Sequence, residues 1–313
     1  MSNCEPAECF PISSRCLATT AKSYTFLMRK SMQRSNAEAF AISFMVRDVE
    51  PYLERNLKAI IALGEEFRRY WLFFVENDSR DRTQAILQQY VHKYPDVLRG
   101  SFLGNISRGY SVALCPAKMR NCVARINLLA KLRQHAFDLA WAQPGWDALI
   151  MLDFDFAGFS RREYLQMFVL GLRLNASATV GVSMYFNSRG HCAQYDRSLV
   201  GHAGHDLTRT MTGKGCMGGI MNGHSGFPTL YAKALRAATP TPRYANHTPR
   251  AVAGGGYNDL LPFNMELGEW GRSAGMPMLV DPRFRPVYSY GEGDAYMRNR
   301  TLANLMNTKP DER

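Results

Sequence analysis

Apolar positions in this chain gather into short runs, and the runs alternate with amphipathic stretches. Phe40-Ala41-Ile42-Ser43-Phe44-Met45-Val46 is almost continuously apolar, the pattern of a strand buried on both faces. Residues 51–63 follow with Tyr52, Leu53, Leu57, Ile60 and Ile61 at helical spacing. Pro51 suits a first helical turn and Gly64 a helix end. Tyr70-Trp71-Leu72-Phe73-Phe74-Val75 is a second buried run. Its sequel, Glu76-Asn77-Asp78-Ser79-Arg80-Asp81-Arg82-Thr83, predicts a polar loop that caps a helix reaching Tyr90, with a third strand over residues 97–103. Pro116 opens a long predicted helix to Trp141, with Met119, Val123, Ile126, Leu129, Leu132 and Phe137 facing inward. A fourth run, Ala148-Leu149-Ile150-Met151-Leu152, ends in Asp153-Phe154-Asp155.

Strands alternating with helices predict an α/β protein whose mostly parallel sheet is covered on both faces. In open sheets of this kind ligands bind outside the carboxyl ends of the strands. Arg47-Asp48, Glu76-Asn77-Asp78 and Asp153-Phe154-Asp155 should therefore converge on one edge. Strand alternation would put Asp153 and Asp155 on the same side and turn Phe154 the other way. Two such carboxylates suit Mg²⁺ or Mn²⁺, which take phosphate oxygens and waters as their other ligands. Asp78 and Asp81 are both suited to cap the helix that follows them, and one of them is expected to do so.

The second half of the chain is less regular. Residues 160–174 read as a helix and 179–186 as one strand. Residues 187–226 form a loop rich in Gly, His, Ser and Arg, with Gly218, Gly219, Gly223 and Gly226 close together. Residues 238–256 are again loop-like, Asp259 to Gly271 reads as a helix, and two short apolar segments lie within 277–288. Residues 1–37 read as a polar arm, mobile or loosely docked.

The chain has 313 residues, enough to bury a large core. Its formal charge of +11 suits polyanions, but no run of Lys or Arg exceeds two residues, which argues against a nucleic-acid tail. The seven cysteines are odd in number and form no Cys-x-x-Cys, as expected of reduced thiols. With neither an apolar span of about 20 residues nor a signal-peptide core, a soluble cytoplasmic protein is expected. His202-x-x-His205, with Cys192, Cys216 and His224, matches no zinc spacing. Gly213-Lys214 is no phosphate loop, because Thr208 stands where the first glycine is needed.

These motifs together resemble the GT-A glycosyltransferases. The resemblance is carried by Ile42–Asp48 with Pro51-Tyr52-Leu53, by Glu76–Thr83, by Lys118-Met119-Arg120-Asn121 and by Leu152-Asp153-Phe154-Asp155, and it spans roughly residues 38–290. The set looks most like the capsule-type mannosyltransferases of glycosyltransferase family 69. It implies a single GT-A catalytic domain over residues 38–300, with a Rossmann-like nucleotide-sugar-binding half (38–158), an acceptor-binding half (159–300) and a tail (301–313). It implies a nucleoside-diphosphate sugar donor, a glycan or other hydroxyl acceptor, and Mn²⁺ or Mg²⁺ as cofactor. Arg47, Asp48, Glu76, Asp78, Arg120, Asn121, Asp153 and Gly219 would bind the nucleotide sugar. Asp155, with Asp153, would hold the metal. Asp259 lies where relatives carry a catalytic carboxylate, with Glu266 and Glu269 as rivals. Asn258-Asp259 departs from the tighter acidic pair common there, and no C-terminal histidine completes a metal site.

Two other classes stay open on the sequence. A nucleotidyltransferase could use the same aspartates with a third acidic residue beside them. A non-catalytic polyanion-binding protein would account for the charge alone, through strongly salt-dependent binding.

Overall fold

The structure is a computed structural model. It describes residues 39–106, 123–173, 175–181, 183–186, 192–194, 227–232, 278–281, 284 and 286–288. Lys118, Arg120, Asn121, the Gly218–Gly223 loop, Asp259, Glu266, Glu269, the histidines at 202, 205, 224 and 247, the arm and the tail lie outside the described residues.

The first half follows the predicted alternation. β1 (Ala39–Val46) leads to α1 (Glu50–Gly64), β2 (Arg69–Asn77), α2 (Thr83–Lys93) and β3 (Leu98–Leu103). α3 (Val123–Trp141) then precedes β4 (Ala148–Asp153), β5 (Phe156–Gly158) and α4 (Arg161–Arg173). β6 (Ala178–Gly181), β7 (Met184–Phe186), β8 (Cys192–Gln194), β9 (Thr229–Tyr231), β10 (Met278–Asp281) and β11 (Val287–Tyr288) complete the described elements.

A seven-stranded sheet runs in the order β10-β6-β9-β4-β1-β2-β3. β1 pairs in parallel with both β2 and β4, and β2 with β3, while β9 is antiparallel to its neighbours β4 and β6. This is the mostly parallel α/β sheet that the run pattern predicts. The chain builds β2 and β3 outward on one side of β1, then crosses to place β4 on the other side.

Helices cover both faces, and the period of two along β1 explains how. Phe40, Ile42, Phe44 and Val46 join the larger core with Leu53, Leu57 and Ile60 of α1, Ile86 and Leu87 of α2, and Tyr164 and Phe168 of α4. Phe40 stacks on Phe67 at 4.1 Å between ring centres and meets Phe168 edge-on. The opposite face packs Met45 and Val75 on Leu128, Leu132 and Ala136 of α3. Leu128, not the expected Leu129, takes the inward position on that helix.

The apolar stretch 179–186 is not one strand. β6 ends at Gly181, and β7 belongs to a second sheet of order β5-β11-β7-β8. Phe284 packs so closely over Gly181 that a side chain there would collide with its ring and backbone. β8 falls inside the segment read as a continuous loop, and no periodicity marks the three-residue β9. β9 is tied down by side chains instead: Thr229 Oγ1 meets Tyr164 Oη at 2.8 Å, and Tyr231 Oη donates to the carbonyl of Phe168 at 2.9 Å.

Candidate functional site

Asp153 is the last residue of β4, opposite Met45 of β1. The chain then bends out of the large sheet and enters β5 of the second one. Asp155 therefore lies in the crossover between sheets, and strand alternation does not set its direction. Phe154 does turn away, as expected, and stacks on Phe44 at 4.3 Å between ring centres. The crossover is held from below by α1. Asn56 Nδ2 donates to the carbonyls of Phe154 and Phe156, both at 2.8 Å, and Arg55 Nη2 donates to Phe156 O at 3.0 Å.

Asp153 has a partner that the sequence reading missed. Arg133 of α3 reaches its carboxylate at 3.1 Å, with an arginine side chain only 7% exposed and an aspartate side chain 25% exposed. Charged residues on a helix usually lie on the solvated face, so Arg133 gave no signal by itself. Asn56 did give one: it is a polar residue on the same helical stripe as Leu53, Leu57 and Ile60, and it is fully buried.

The loops after β1 and β2 are stitched to each other by side chains. Arg80 N donates to Asp48 Oδ1 at 2.7 Å, and Asp48 N donates to Ser79 Oγ at 3.0 Å. Val49 N donates to Thr83 Oγ1 at 3.0 Å. Arg82 N donates to Glu50 Oε2 at 2.9 Å. Asp81 joins two helix starts. Its Oδ2 accepts from Glu50 N at 2.9 Å, and its Oδ1 accepts from Thr83 N at 3.0 Å. Glu50 and Thr83 open α1 and α2, whose first amides have no partner within the helix. Of the two capping candidates, Asp81 is thus bonded to the first amide of α2. Burial pushes its carboxyl up, but hydrogen bonds from Thr83 and from backbone amides outweigh that and hold it below its ordinary value.

Glu76 serves these loops too. It is fully buried, its Oε1 accepts from Ser79 N and its Oε2 from Gln84 Nε2, each at 2.8 Å. In this geometry it presents no surface to a ligand and instead shapes the turn that carries Asp78. Asp48, two residues past β1, and Asp78, the first residue past β2, both take left-handed backbone conformations, φ 51° and 52°. Arg47 and Asp48 are exposed, and Arg47 Nε lies 3.4 Å from Asp48 Oδ2.

The structure thus brings Arg47, Asp48, Asp78, Asp153 and Asp155 to the carboxyl edge of β1, β2 and β4. The chain leaves β1 toward β2 and leaves β4 toward the opposite side, so the strand order reverses between β1 and β4. At such a reversal the outgoing loops of open α/β sheets diverge, and ligands bind between them. Asp48 stands on the loop after β1 and Asp153 at the end of β4, where the other loop starts. Carboxylates such as Asp153 and Asp155 are hard donors of the kind that suits Mg²⁺ or Mn²⁺ arriving with phosphate oxygens. Among the described residues no group of three or more His, Cys, Asp or Glu is placed to hold a metal. Among those residues, too, no helix is long and apolar enough to cross a membrane.

No family model matches the chain, and no curated protein does. Several solved structures are similar to it. Crystalline S. aureus TarS 1-349 is 13% identical with a TM-score of 0.47, covering 88% of this chain and 67% of that one. The mannosyltransferase PcManGT from Pyrobaculum calidifontis, solved with GDP-Man and Mn²⁺, is 10% identical with a TM-score of 0.49, covering 94% of this chain and 72% of that one. GalNAc-T7, solved with UDP, GalNAc and Mn²⁺, is 11% identical with a TM-score of 0.43, covering 82% of this chain and 44% of that one.

Proposed function

We propose that this protein is a GT-A glycosyltransferase that moves a sugar from a nucleoside-diphosphate sugar to a hydroxyl of a glycan or similar acceptor. One observation carries the proposal. Paired aspartates leave the carboxyl end of β4 at the strand-order reversal beside β1, where an α/β sheet opens its ligand crevice. The +11 charge of the chain as a whole suits a polyanionic donor.

In this reading Arg47, Asp48 and Asp78 line the nucleoside side of the crevice, on loops held in place by Ser79, Asp81 and Thr83. Glu76 acts through the loop and not by contact. Asp155 supplies the first carboxylate for a divalent cation, Mn²⁺ or Mg²⁺, with Asp153 beside it. The cation, when bound, neutralises charge on the departing nucleoside diphosphate. Asp153 shares its charge with Arg133. Arg120 and Asn121 would face the phosphates, Gly219 the donor sugar, and Asp259 or Glu266 would take the acceptor's proton if the anomeric centre inverts. Residues 38–158 form the donor half and 159–300 the acceptor half of one catalytic domain.

A thermal-shift series with UDP-, GDP- and CMP-sugars, each with and without Mn²⁺, tests this. A ligand specific for the folded state raises the apparent stability by mass action, by about 2.7 kcal/mol at a hundredfold excess over Kd. Stabilisation by one sugar nucleotide that depends on Mn²⁺ is the expected result. Stabilisation by nucleoside triphosphates alone, or by nothing but low salt, overturns it.

A further inference from the structure

The crossover that carries Asp155 is fixed by two neighbouring side chains of α1, Arg55 and Asn56, to which the proposed function assigns no part. Asn56 is fully buried among Leu53, Leu57 and Ile60, where an apolar residue would be expected. Its Nδ2 donates to Phe154 O and to Phe156 O, at 2.8 Å each. Arg55 Nε donates to Asn56 Oδ1 at 3.0 Å, which decides the orientation of the amide: the oxygen faces the guanidinium and the NH₂ faces the crossover. Arg55 Nη2 also donates to Phe156 O at 3.0 Å. The two carbonyls bracket Asp155. Phe154 O belongs to the peptide plane that enters Asp155, and Phe156 O to the plane that leaves its successor. Phe154 and Phe156 are themselves locked in aromatic contact with Phe44 and Phe227.

We infer that Asn56, oriented by Arg55, is a positioning residue that holds the Asp155 carboxylate in its cation-binding direction. The inference rests on the proposed function, since it needs Asp155 to be a metal ligand. Residues this close to the sheet edge need their carbonyls satisfied in any fold. What marks this pair as more than a fold device is its target. The ladders that hold Asp153 and Phe156 stop on either side of Asp155, and the Asn56–Arg55 pair braces the gap between them. Groups that orient a ligand in this way are worth about 10- to 100-fold in metal affinity.

The test compares wild type with Asn56→Leu and Arg55→Gln. Mn²⁺ binding is read by electron paramagnetic resonance with UDP or GDP present, nucleotide binding is read without metal, and Tm is read for each protein. The expected result is a Mn²⁺ dissociation constant raised about tenfold or more in Asn56→Leu and severalfold in Arg55→Gln, with metal-free nucleotide affinity unchanged. If Asn56→Leu does not fold, Arg55→Gln, altered at a half-buried position, decides the question by the same criterion. Folded variants that lose Tm but keep wild-type Mn²⁺ affinity overturn the positioning role. A wild-type protein that binds no Mn²⁺ with either diphosphate overturns the proposed function instead, and this inference with it.

Discussion

Arg133 Nη2 lies 3.1 Å from one carboxylate oxygen of Asp153 and 3.4 Å from the other, joining the middle of α3 to the end of β4. The arginine side chain is nearly buried and the aspartate still meets solvent. Removing the cation leaves a carboxylate in a partly desolvated place. A fully buried pair would lose several kcal/mol; solvent access at Asp153 lowers the expected cost of Arg133→Met to about 1–3 kcal/mol. Asp153→Asn in the same background should recover part of that, because the orphaned charge is gone. Denaturant titration of both single variants and the double variant measures the coupling. A coupling near zero would show the pair to be incidental.

Asp155 is the residue on which metal-linked chemistry should depend most. Asp155→Asn keeps the shape of the side chain and removes its charge. We expect turnover to fall by at least about a hundredfold, equivalent to about 3 kcal/mol of transition-state stabilisation. Steady-state rates with saturating Mn²⁺ check this, and Tm is read beside the rate to establish that the variant is folded. Full activity in the folded variant would remove Asp155 from the mechanism.

Asp81 makes a prediction about pH. Its carboxylate accepts from the first amides of α1 and α2, and its folded-state pKa is lowered from 3.8. A lowered pKa means the folded state favours the ionised form. The stabilisation is therefore complete above the unfolded value and is lost as pH falls through the lower, folded value. Asp81→Ala should cost about 1–3 kcal/mol at pH 7, the loss of a bonded first amide at the start of each of two helices. The difference between wild type and variant should shrink as pH drops below 3.8. Urea melts at pH 7 and near pH 3 give the comparison, and a constant difference would contradict the assigned bonds.

Much of this arrangement is legible in the sequence because it is local. β1, β2 and β4 are apolar runs, since strands buried on both faces have no polar side to show. The aspartates at 153 and 155 mark an edge because they end such a run. Asp78 and Asp81 are both readable as capping candidates for the same reason, and the bond from Thr83 N selects Asp81. What escapes is non-local. Arg133 resembles any solvated helix residue until Asp153 is placed beneath it, twenty residues on. The 179–186 stretch keeps strand character throughout, so nothing in its periodicity shows that β7 changes sheets; only the packing of Phe284 on Gly181 does. β9 depends on partners in β4 and β6 and on Tyr164, none of them near in sequence. Asn56 stood in plain view as a polar break in an apolar stripe, and its meaning appears only once the crossover it holds is known.

Asp48 tests whether the loop beside the crevice is shaped by its backbone or by its side chain. Its φ of 51° is a conformation that Asn and Gly tolerate and that Ala resists by about 1 kcal/mol. Its Oδ1 also accepts from Arg80 N at 2.7 Å, a bond at an exposed site worth about 0.5–1 kcal/mol. Asp48→Asn keeps both features, Asp48→Gly keeps the first, and Asp48→Ala loses both. Stability should therefore fall in that order, with Ala about 1 kcal/mol below Gly. Nucleotide affinity should not follow the same order if Asp48 also touches the donor. Asn would then weaken binding about as much as Gly, by loss of the charge, while differing little from wild type in Tm. Melting curves and isothermal titration on the three variants separate the two contributions. A Gly variant no more stable than Ala would show that the left-handed turn does not limit this loop, while the gap between Asn and Gly measures the side-chain bond.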